Sequence, residues 1–248
     1  MENLKNKVAI ITGGSKGIGA AIAEDLSAKG ITVIINYAND TSQEELTVSR
    51  ITKRGGHVVA IKANVGSTDE VMFLFSEVNK KFGGLDILVN CAGMAYFKPT
   101  TIAETSDEFH DEMFNINLMG TFRCLRESIK YLRPEGRIIT FSTSGIASAY
   151  PGFGVYNASK AAVEILSRTL SRELKGKRIT VNCISPGAIA TENWLKGKPE
   201  QALKAIADLS PFERLGTPKD IAEVVSFLVS REGEWVNGQI IRVNGGFI

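Results

Sequence analysis

Short apolar runs rich in β-branched residues alternate with longer amphipathic stretches along the whole 248-residue chain. Val8–Ile11, Thr32–Asn36, His57–Lys62, Leu85–Asn90, Gly136–Phe141, Thr180–Ser185 and Gln239–Val243 read as strands. Several are nearly all apolar, as in Val8-Ala9-Ile10-Ile11 and Ile87-Leu88-Val89, the mark of strands buried on both faces of a parallel sheet. Between them the spacing predicts helices over Ile18–Lys29, Ser42–Arg54, Thr68–Phe82, Tyr156–Leu174 and Pro218–Ser230. Ser106–Tyr131 is long enough for two helices or one bent one. Ser67 before Thr68-Asp69-Glu70, and Thr217 before Pro218, supply N-cap signals.

This alternation implies a doubly wound α/β fold: a parallel sheet of about seven strands with helices on both faces. No linker or repeat divides the chain, so residues 1–248 read as a single domain that binds a dinucleotide and carries the chemistry. The least regular stretch, residues 187–211, is polar, mixed and contains Trp194. It is expected to be a substrate loop or lid, since long irregular loops in compact domains are usually functional.

Composition narrows the function classes. Twenty-nine basic and twenty-seven acidic residues leave a formal charge of +2 without a long single-sign run, so neither nucleic acid nor an anionic membrane is an expected partner. No stretch approaches a membrane span, and Thr12-Gly13-Gly14 stops the first apolar run well short of a signal segment. The expected location is the cytoplasm. Cys91, Cys124 and Cys183 are odd in number and widely spaced, and read as reduced buried thiols. The two histidines, His57 and His110, stand in polar settings that suit a surface role. Metal and Ser-His-Asp chemistry are therefore poorly supplied, and a proton donor must come from elsewhere.

Thr12-Gly13-Gly14-Ser15-Lys16-Gly17-Ile18-Gly19 joins the first strand to the first helix. Glycines there let the backbone turn tightly and approach a pyrophosphate, while the helix N-terminus offers unpaired N–H groups and a positive dipole end. A glycine cluster in this context points to a Rossmann-type dinucleotide site.

The spacing T-G-x-x-x-G-x-G resembles that of the short-chain dehydrogenase/reductase family, and the resemblance extends over nearly the whole chain. Asn90-Cys91-Ala92-Gly93 is similar to the family's N-N-A-G motif, with Cys91 in place of the commoner asparagine. Asn117-Leu118-Met119-Gly120 matches N-x-x-G, Tyr156-Asn157-Ala158-Ser159-Lys160 matches Y-x-x-x-K, and Pro186-Gly187 with Thr191 matches the P-G element and its following threonine. The resemblance implies a cofactor site formed by Gly13, Ser15, Lys16, Gly17, Ile18 and Gly19 at the turn, and Asn36, Tyr37 and Ala38 after the second strand. It adds Asn64 and Val65 after the third strand, Asn90, Ala92 and Gly93 after the fourth, then Tyr156, Lys160, Pro186, Gly187 and Thr191. Similar sequences place an acid where Asn64 stands to contact adenine; the asparagine amide can both donate and accept.

Tyr156 and Lys160 are four residues apart on a predicted helix and share a face. An ammonium beside a phenol favours the phenolate, and the positive charge of an oxidised nicotinamide acts in the same sense. Tyr156 could then give a proton to a carbonyl oxygen, or accept one from an alcohol in reverse. The resemblance assigns these roles to Tyr156 and Lys160, gives Lys160 contacts with the nicotinamide ribose, and makes Asn117 the holder of a relay water. The family's remaining catalytic group is a serine near the end of the fifth strand. Here Phe141-Ser142-Thr143-Ser144 offers Thr143 at the usual gap from Tyr156 and Ser144 one residue on, and both stay open.

The second strand ends Ile34-Ile35-Asn36-Tyr37-Ala38 without the carboxylate that NAD sites use on the ribose hydroxyls, and Asp40 comes later. With Lys16 in the glycine turn, NADP(H) is preferred over NAD(H). Tyr96, Phe97, Ala149, Tyr150, Phe153 and Trp194 are positioned for a substrate cavity that tolerates apolar or aromatic carbonyl and alcohol compounds. The resemblance reaches both acyl-chain ketoreductases and polyhydroxynaphthalene-type reductases. Ala161, Ala162, Val163, Ile165, Leu166 and Leu170 give the helix from Tyr156 more apolar surface than one face requires, and similar chains form homotetramers. Two other functions remain open: an NADP(H)-binding sensor or scaffold without turnover, and an epimerase or dehydratase on the same fold.

Overall fold

The computed structural model describes residues 4–39, 41–95 and 99–248. Among them, seven parallel strands form one sheet: β1 (Val8–Thr12), β2 (Thr32–Tyr37), β3 (Val58–Lys62), β4 (Leu85–Asn90), β5 (Leu132–Phe141), β6 (Thr180–Pro186) and β7 (Ile240–Val243). The order across the sheet is β3-β2-β1-β4-β5-β6-β7. Ile10 of β1 stands between Ile34 of β2 and Leu88 of β4. The chain runs outward through β2 and β3, then returns to the other side of β1. The carboxyl ends of β1 and β4 therefore flank a crevice, the place where such sheets bind ligands.

Every residue of β1 is buried, and neighbours along it face opposite layers. Ile11 packs with Ile22 and Ala23 of α1 (Gly17–Ala28), Ile51 of α2 (Thr41–Lys53) and Ile221 and Val225 of α10 (Pro218–Val229). Ile10 packs on the opposite side with Leu74 and Phe75 of α3 (Thr68–Phe82), Leu125 of α5 (Thr121–Tyr131) and Leu170 of α7 (Gly154–Glu173). The uninterrupted apolar runs in the sequence are these doubly covered strands. The N-cap signals also hold: Ser67 accepts from the Glu70 N–H, and Thr217 and Asp220 form a reciprocal capping box on α10.

Two regions depart from the sequence expectation, and a third, expected as two helices or one bent one, gains a detail the pattern does not carry. The stretch Ser106–Tyr131 is one continuous helical run, but α4 (Asp107–Phe114) and α5 are joined by a π-helical segment, Asn115–Gly120. Gly120 is pressed on Val65 so closely that a Cβ would sit 2.9 Å from the valine Cγ2. β5 starts at Leu132 rather than Gly136, with an irregular register against β4 between Leu85 and Ile87 and Glu135 at φ 65°. Residues 187–211 hold two short helices, α8 (Glu192–Leu195), capped by Thr191, and α9 (Glu200–Ala207). One or two turns are too brief to print an amphipathic period. A further one-turn helix, α6 (Gly145–Ser148), follows β5.

Cys124 and Cys183 are buried, Cys91 is partly so, and all three thiols are free. His57 is exposed, and His110 lies beside Asp111 and stacks on Phe114. Among the described residues no helix is long and apolar enough to cross a membrane.

Candidate active site

A cavity of about 910 Å³ opens at the carboxyl end of the sheet, between the β1–α1 turn and the start of α7. Its floor is fastened by side chains behind it. The Thr12 hydroxyl donates to Asn90 Oδ1 at 2.8 Å and accepts from the Ala92 N–H at 3.0 Å, which ties β1 to the end of β4. The Gly14 N–H donates to the Asn36 carbonyl, and buried Thr47 on α2 donates to the Ser15 carbonyl at 2.8 Å. Three elements thus hold one turn in place.

The turn is built to let an anionic group approach its backbone closely. Gly13 and Gly17 have φ of 63° and 55°, where L side chains are strained. A Cβ on Gly13 would come within 3.0 Å of Ala92 Cα, and one on Gly19 within 2.2 Å of the Gly13 carbonyl oxygen. The N-cap of α1, Lys16, makes no side-chain cap, and the first turn holds no acid, so the positive end of the helix dipole at this cavity wall is not offset by a carboxylate there. These features fit a dinucleotide pyrophosphate. Asn36, Tyr37 and Ala38 line the wall beyond β2, and Asn64 and Val65 the wall beyond β3. The Asn36 amide donates to the Ala63 carbonyl at 2.8 Å, so its side chain braces β3, while Asn64 Oδ1 accepts from the Gly66 N–H.

Tyr156 and Lys160 line the cavity one turn apart on α7. Lys160 is 5% exposed, and its ammonium donates to the Phe141 carbonyl at 3.1 Å. Burial lowers its pKa, opposed by the nearby thiols of Cys91 and Cys183. Burial is likewise the largest influence on Tyr156 and pushes the phenol up to about 12. A hydrogen bond with Thr143 pulls it down, and Cys91 pushes it further up. The lowering expected from Lys160 does not set the direction in this cavity, where a phenolate loses its hydration. The Cys91 thiol is pushed up to about 12 by burial, with Lys160 pulling the other way.

The adjacent hydroxyls of Thr143 and Ser144 are turned to different tasks. The Thr143 oxygen accepts from the Gly145 N–H at 3.1 Å and meets Tyr156. The Ser144 hydroxyl donates to the Ser185 carbonyl at 3.0 Å and accepts from the Asn244 amide at 3.2 Å. Ser144 is 2% exposed, with its proton already committed.

Of the residues singled out in the sequence, Gly13, Ser15, Lys16, Gly17, Ile18, Gly19, Ala92, Gly93, Pro186, Gly187 and Thr191 also line the cavity. Asn90 and Asn117 stand behind its wall. The Asn117 amide accepts from the Met94 N–H at 2.7 Å and donates to the Met94 carbonyl at 3.0 Å and to the Ser159 hydroxyl at 3.1 Å. It props the segment after β4 from beneath. Tyr150, Phe153 and Trp194 line the substrate end, Ala149 does not, and Tyr96 and Phe97 lie outside the described residues. Phe109, Met94 and Phe247 complete that end, and no sequence motif marked them. Thr12 and Thr47 were also missed as supports; the threonine of the T-G pair was the available signal for Thr12. Among the described residues no histidine, aspartate or glutamate lines the cavity.

A family sequence model described as "Enoyl-(Acyl carrier protein) reductase" matches residues 13–248. A "Short-chain type dehydrogenase/reductase" of Picea abies is 44% identical over 251 residues, covering 98% of this chain and 93% of the relative. A "Tetrahydroxynaphthalene reductase" of Pyricularia oryzae is 37% identical, covering 98% and 90%. Among solved structures, a short chain dehydrogenase from Burkholderia cenocepacia in complex with NADP has a TM-score of 0.92 at 32% identity, with 98% of both chains covered. The chain belongs to the short-chain dehydrogenase/reductase family. It is an oxidoreductase.

Proposed function

We propose that the protein reduces the carbonyl of an uncharged, apolar or aromatic ketone to a secondary alcohol with NADPH, and runs in reverse on the alcohol. One observation carries this reading: the Tyr156 phenol and the Thr143 hydroxyl meet at the wall of a cavity whose other end is the glycine turn. A carbonyl oxygen seated between them accepts two hydrogen bonds, one of which becomes the transferred proton. The chemistry supplied by bound NADP(H) is hydride transfer to and from the carbonyl carbon.

The chain's own residues do the rest. The turn from Gly13 to Gly19 holds the pyrophosphate, Asn64 and Val65 the adenine end, Lys160 the nicotinamide ribose, and Pro186, Gly187 and Thr191 the nicotinamide end. Tyr156 holds the proton until the carbonyl oxygen needs it. Lys160, held at Phe141, keeps a positive charge beside the phenol as it loses that proton. The lack of a carboxylate in Asn36-Tyr37-Ala38, together with Lys16 at the turn, favours a 2′-phosphate, and the NADP complex of the Burkholderia neighbour is consistent with that preference. Tyr150, Phe153, Trp194 and Phe247 bring no charge to the substrate end, which suits a neutral aromatic compound of the kind named in the Pyricularia relative. Ile165, 60% exposed on α7, and Trp235, 96% exposed, support assembly into a homo-oligomer, which a sedimentation mass of one chain would rule out.

The test is loss of the reduced-nicotinamide absorbance with NADPH and NADH separately, against aromatic hydroxyketones, aliphatic ketones, β-ketoacyl thioesters, enoyl thioesters and quinones. The expected result is consumption with aromatic ketones and a kcat/KM for NADPH at least about tenfold above that for NADH. Clear NADPH binding with no consumption on any compound would replace the reductase reading with one of binding without turnover.

The contrast between Thr143 and Ser144 gives a second measurement. Thr143→Val keeps the shape and removes the hydroxyl that meets Tyr156; kcat is expected to fall by about 10²-fold, the scale for one lost oxyanion donor. Ser144→Ala removes a hydroxyl already bonded to Ser185, so kcat is expected to stay within about threefold while stability falls by about 1 kcal/mol. The reverse pattern would move the role to Ser144.

A further inference from the structure

The face of α7 that carries Tyr156 and Lys160 continues along the helix. Four residues on is Glu164, and three beyond it Ser167. All four side chains meet the end of β5 or the two residues that follow it. The Tyr156 phenol meets the Thr143 hydroxyl, Lys160 donates to the Phe141 carbonyl, and the Ser142 hydroxyl donates to Glu164 Oε1 at 2.6 Å. The Ser167 and Thr140 hydroxyls lie 2.7 Å apart. Four consecutive residues, 140–143, are thus stitched to one stripe of one helix.

These bonds matter most at the end of the strand. β4 pairs with β5 only as far as Thr140, opposite Asn90. From Phe141 onward the paired strand among the described residues is β6, through Phe141 opposite Ile184 and the Ser142 N–H on the Ile184 carbonyl. On the other side α7 provides the support. Ser142 is 4% exposed, and Glu164 is half-buried with no cation paired to it among the described residues. An unpaired carboxylate there loses hydration that an apolar side chain would not have to lose. The short bond to Ser142, charge-assisted, is the stabilising return at this position.

We propose that Glu164 is a positioning residue of the reaction: by holding Ser142 it fixes the neighbouring Thr143 hydroxyl against the Tyr156 phenol. This rests on the reductase reading of the same site. Glu164 does not line the cavity and acts only through Ser142.

The test uses the full-length chain with Glu164→Ala, Glu164→Gln, Ser142→Ala and the Glu164→Ala/Ser142→Ala pair. Glu164→Ala and Ser142→Ala are each expected to lower kcat by about tenfold, within the range that small misplacements cost, with KM for NADPH changed less than about twofold. The pair should be no worse than either alone. Glu164→Gln should recover most of kcat, because the amide oxygen accepts the same O–H. A readout without turnover accompanies the kinetics: the NMR resonance of Tyr156 in protein labelled at the tyrosine ζ-carbon, identified by its loss in Tyr156→Phe. It should shift to one common position in Glu164→Ala and Ser142→Ala and return in Glu164→Gln. A wild-type protein that reduces no ketone would sink the reductase reading, while the resonance still decides the placement of Tyr156. Folded Glu164→Ala and Ser142→Ala proteins with an unmoved Tyr156 resonance would overturn the role of Glu164. So would a kcat loss that Glu164→Gln does not restore.

Discussion

Tyr156→Phe is expected to lower kcat for ketone reduction by about 10²- to 10⁴-fold, the range for loss of a positioned general acid, while NADPH still binds. The size of the effect follows from what else the cavity offers. Among the described residues, no histidine or carboxylate lines it. Lys160 is turned to the Phe141 carbonyl and Cys91 holds its proton up to about 12. The other phenol at the substrate end, Tyr150, lines the cavity too, but it is Tyr156 that meets the Thr143 hydroxyl. Phenylalanine fills nearly the same volume, so the loss in kcat should come with less than about 1.5 kcal/mol of lost stability, measurable by denaturant unfolding. The pH dependence carries a sign as well. Burial raises the phenol to about 12, so throughout neutral pH the group stands protonated, the form that reduction needs. The reduction rate should be nearly flat between about pH 6 and 9, and the alcohol oxidation rate, which needs the phenolate, should climb with pH. A reduction rate falling steeply through pH 7 to 8 would show that the phenol titrates low, against the influence of its burial. A Tyr156→Phe enzyme retaining more than about a tenth of wild-type kcat would place the proton donor elsewhere.

The strands and the glycine turn were legible because each is written locally. β1 and β4 carry uninterrupted apolar runs, Val8–Ile11 and Ile87–Val89, since both faces are covered, and that condition needs no knowledge of which helix does the covering. Tyr156 and Lys160 were likewise legible, because four-residue spacing on a helix fixes their common face. What stayed open or unread depends on partners distant in the chain. The choice between Thr143 and Ser144 turns on Ser185, 41 residues away, and Asn244, 100 residues away. The π-helical segment arises where the run from α4 to α5 must seat Gly120 on Val65 and Asn117 under Met94. No period in Asn115–Gly120 announces that. Phe247 reaches the cavity because the tail folds back over the sheet end, where Asn244 bonds Ser144. The effect of burial on Tyr156 was invisible for the same reason: pairwise spacing reported Lys160, but enclosure is a property of the whole site.

Gly19→Ala tests the other end of the site and is expected to weaken NADPH binding by at least about 10²-fold. The added Cβ would lie 2.2 Å from the Gly13 carbonyl oxygen and 2.9 Å from its carbon. Both are backbone atoms of the turn itself, so no side chain can swing aside. Gly13 cannot retreat easily, because its own α-carbon faces Ala92 and its φ is 63°. Thr47 at the Ser15 carbonyl and Asn36 at the Gly14 N–H hold the neighbouring residues. The clash must therefore open the cradle whose shape receives the pyrophosphate, besides a packing cost of about 1–3 kcal/mol. Gly55→Ala is the comparison: its φ is 78°, but nothing lies within 4 Å of the new Cβ. It should cost about 1 kcal/mol of backbone strain and leave the ligand untouched. Thermal unfolding with and without NADPH separates the two. At ligand about 100 times Kd, wild type and Gly55→Ala should each gain about 2.7 kcal/mol, and Gly19→Ala should gain less than about 0.5 kcal/mol under the same conditions. Equal gains in all three proteins would mean that the phosphates do not rest on this turn, since a ligand seated against Gly13 and Gly19 must respond to a methyl group placed between them.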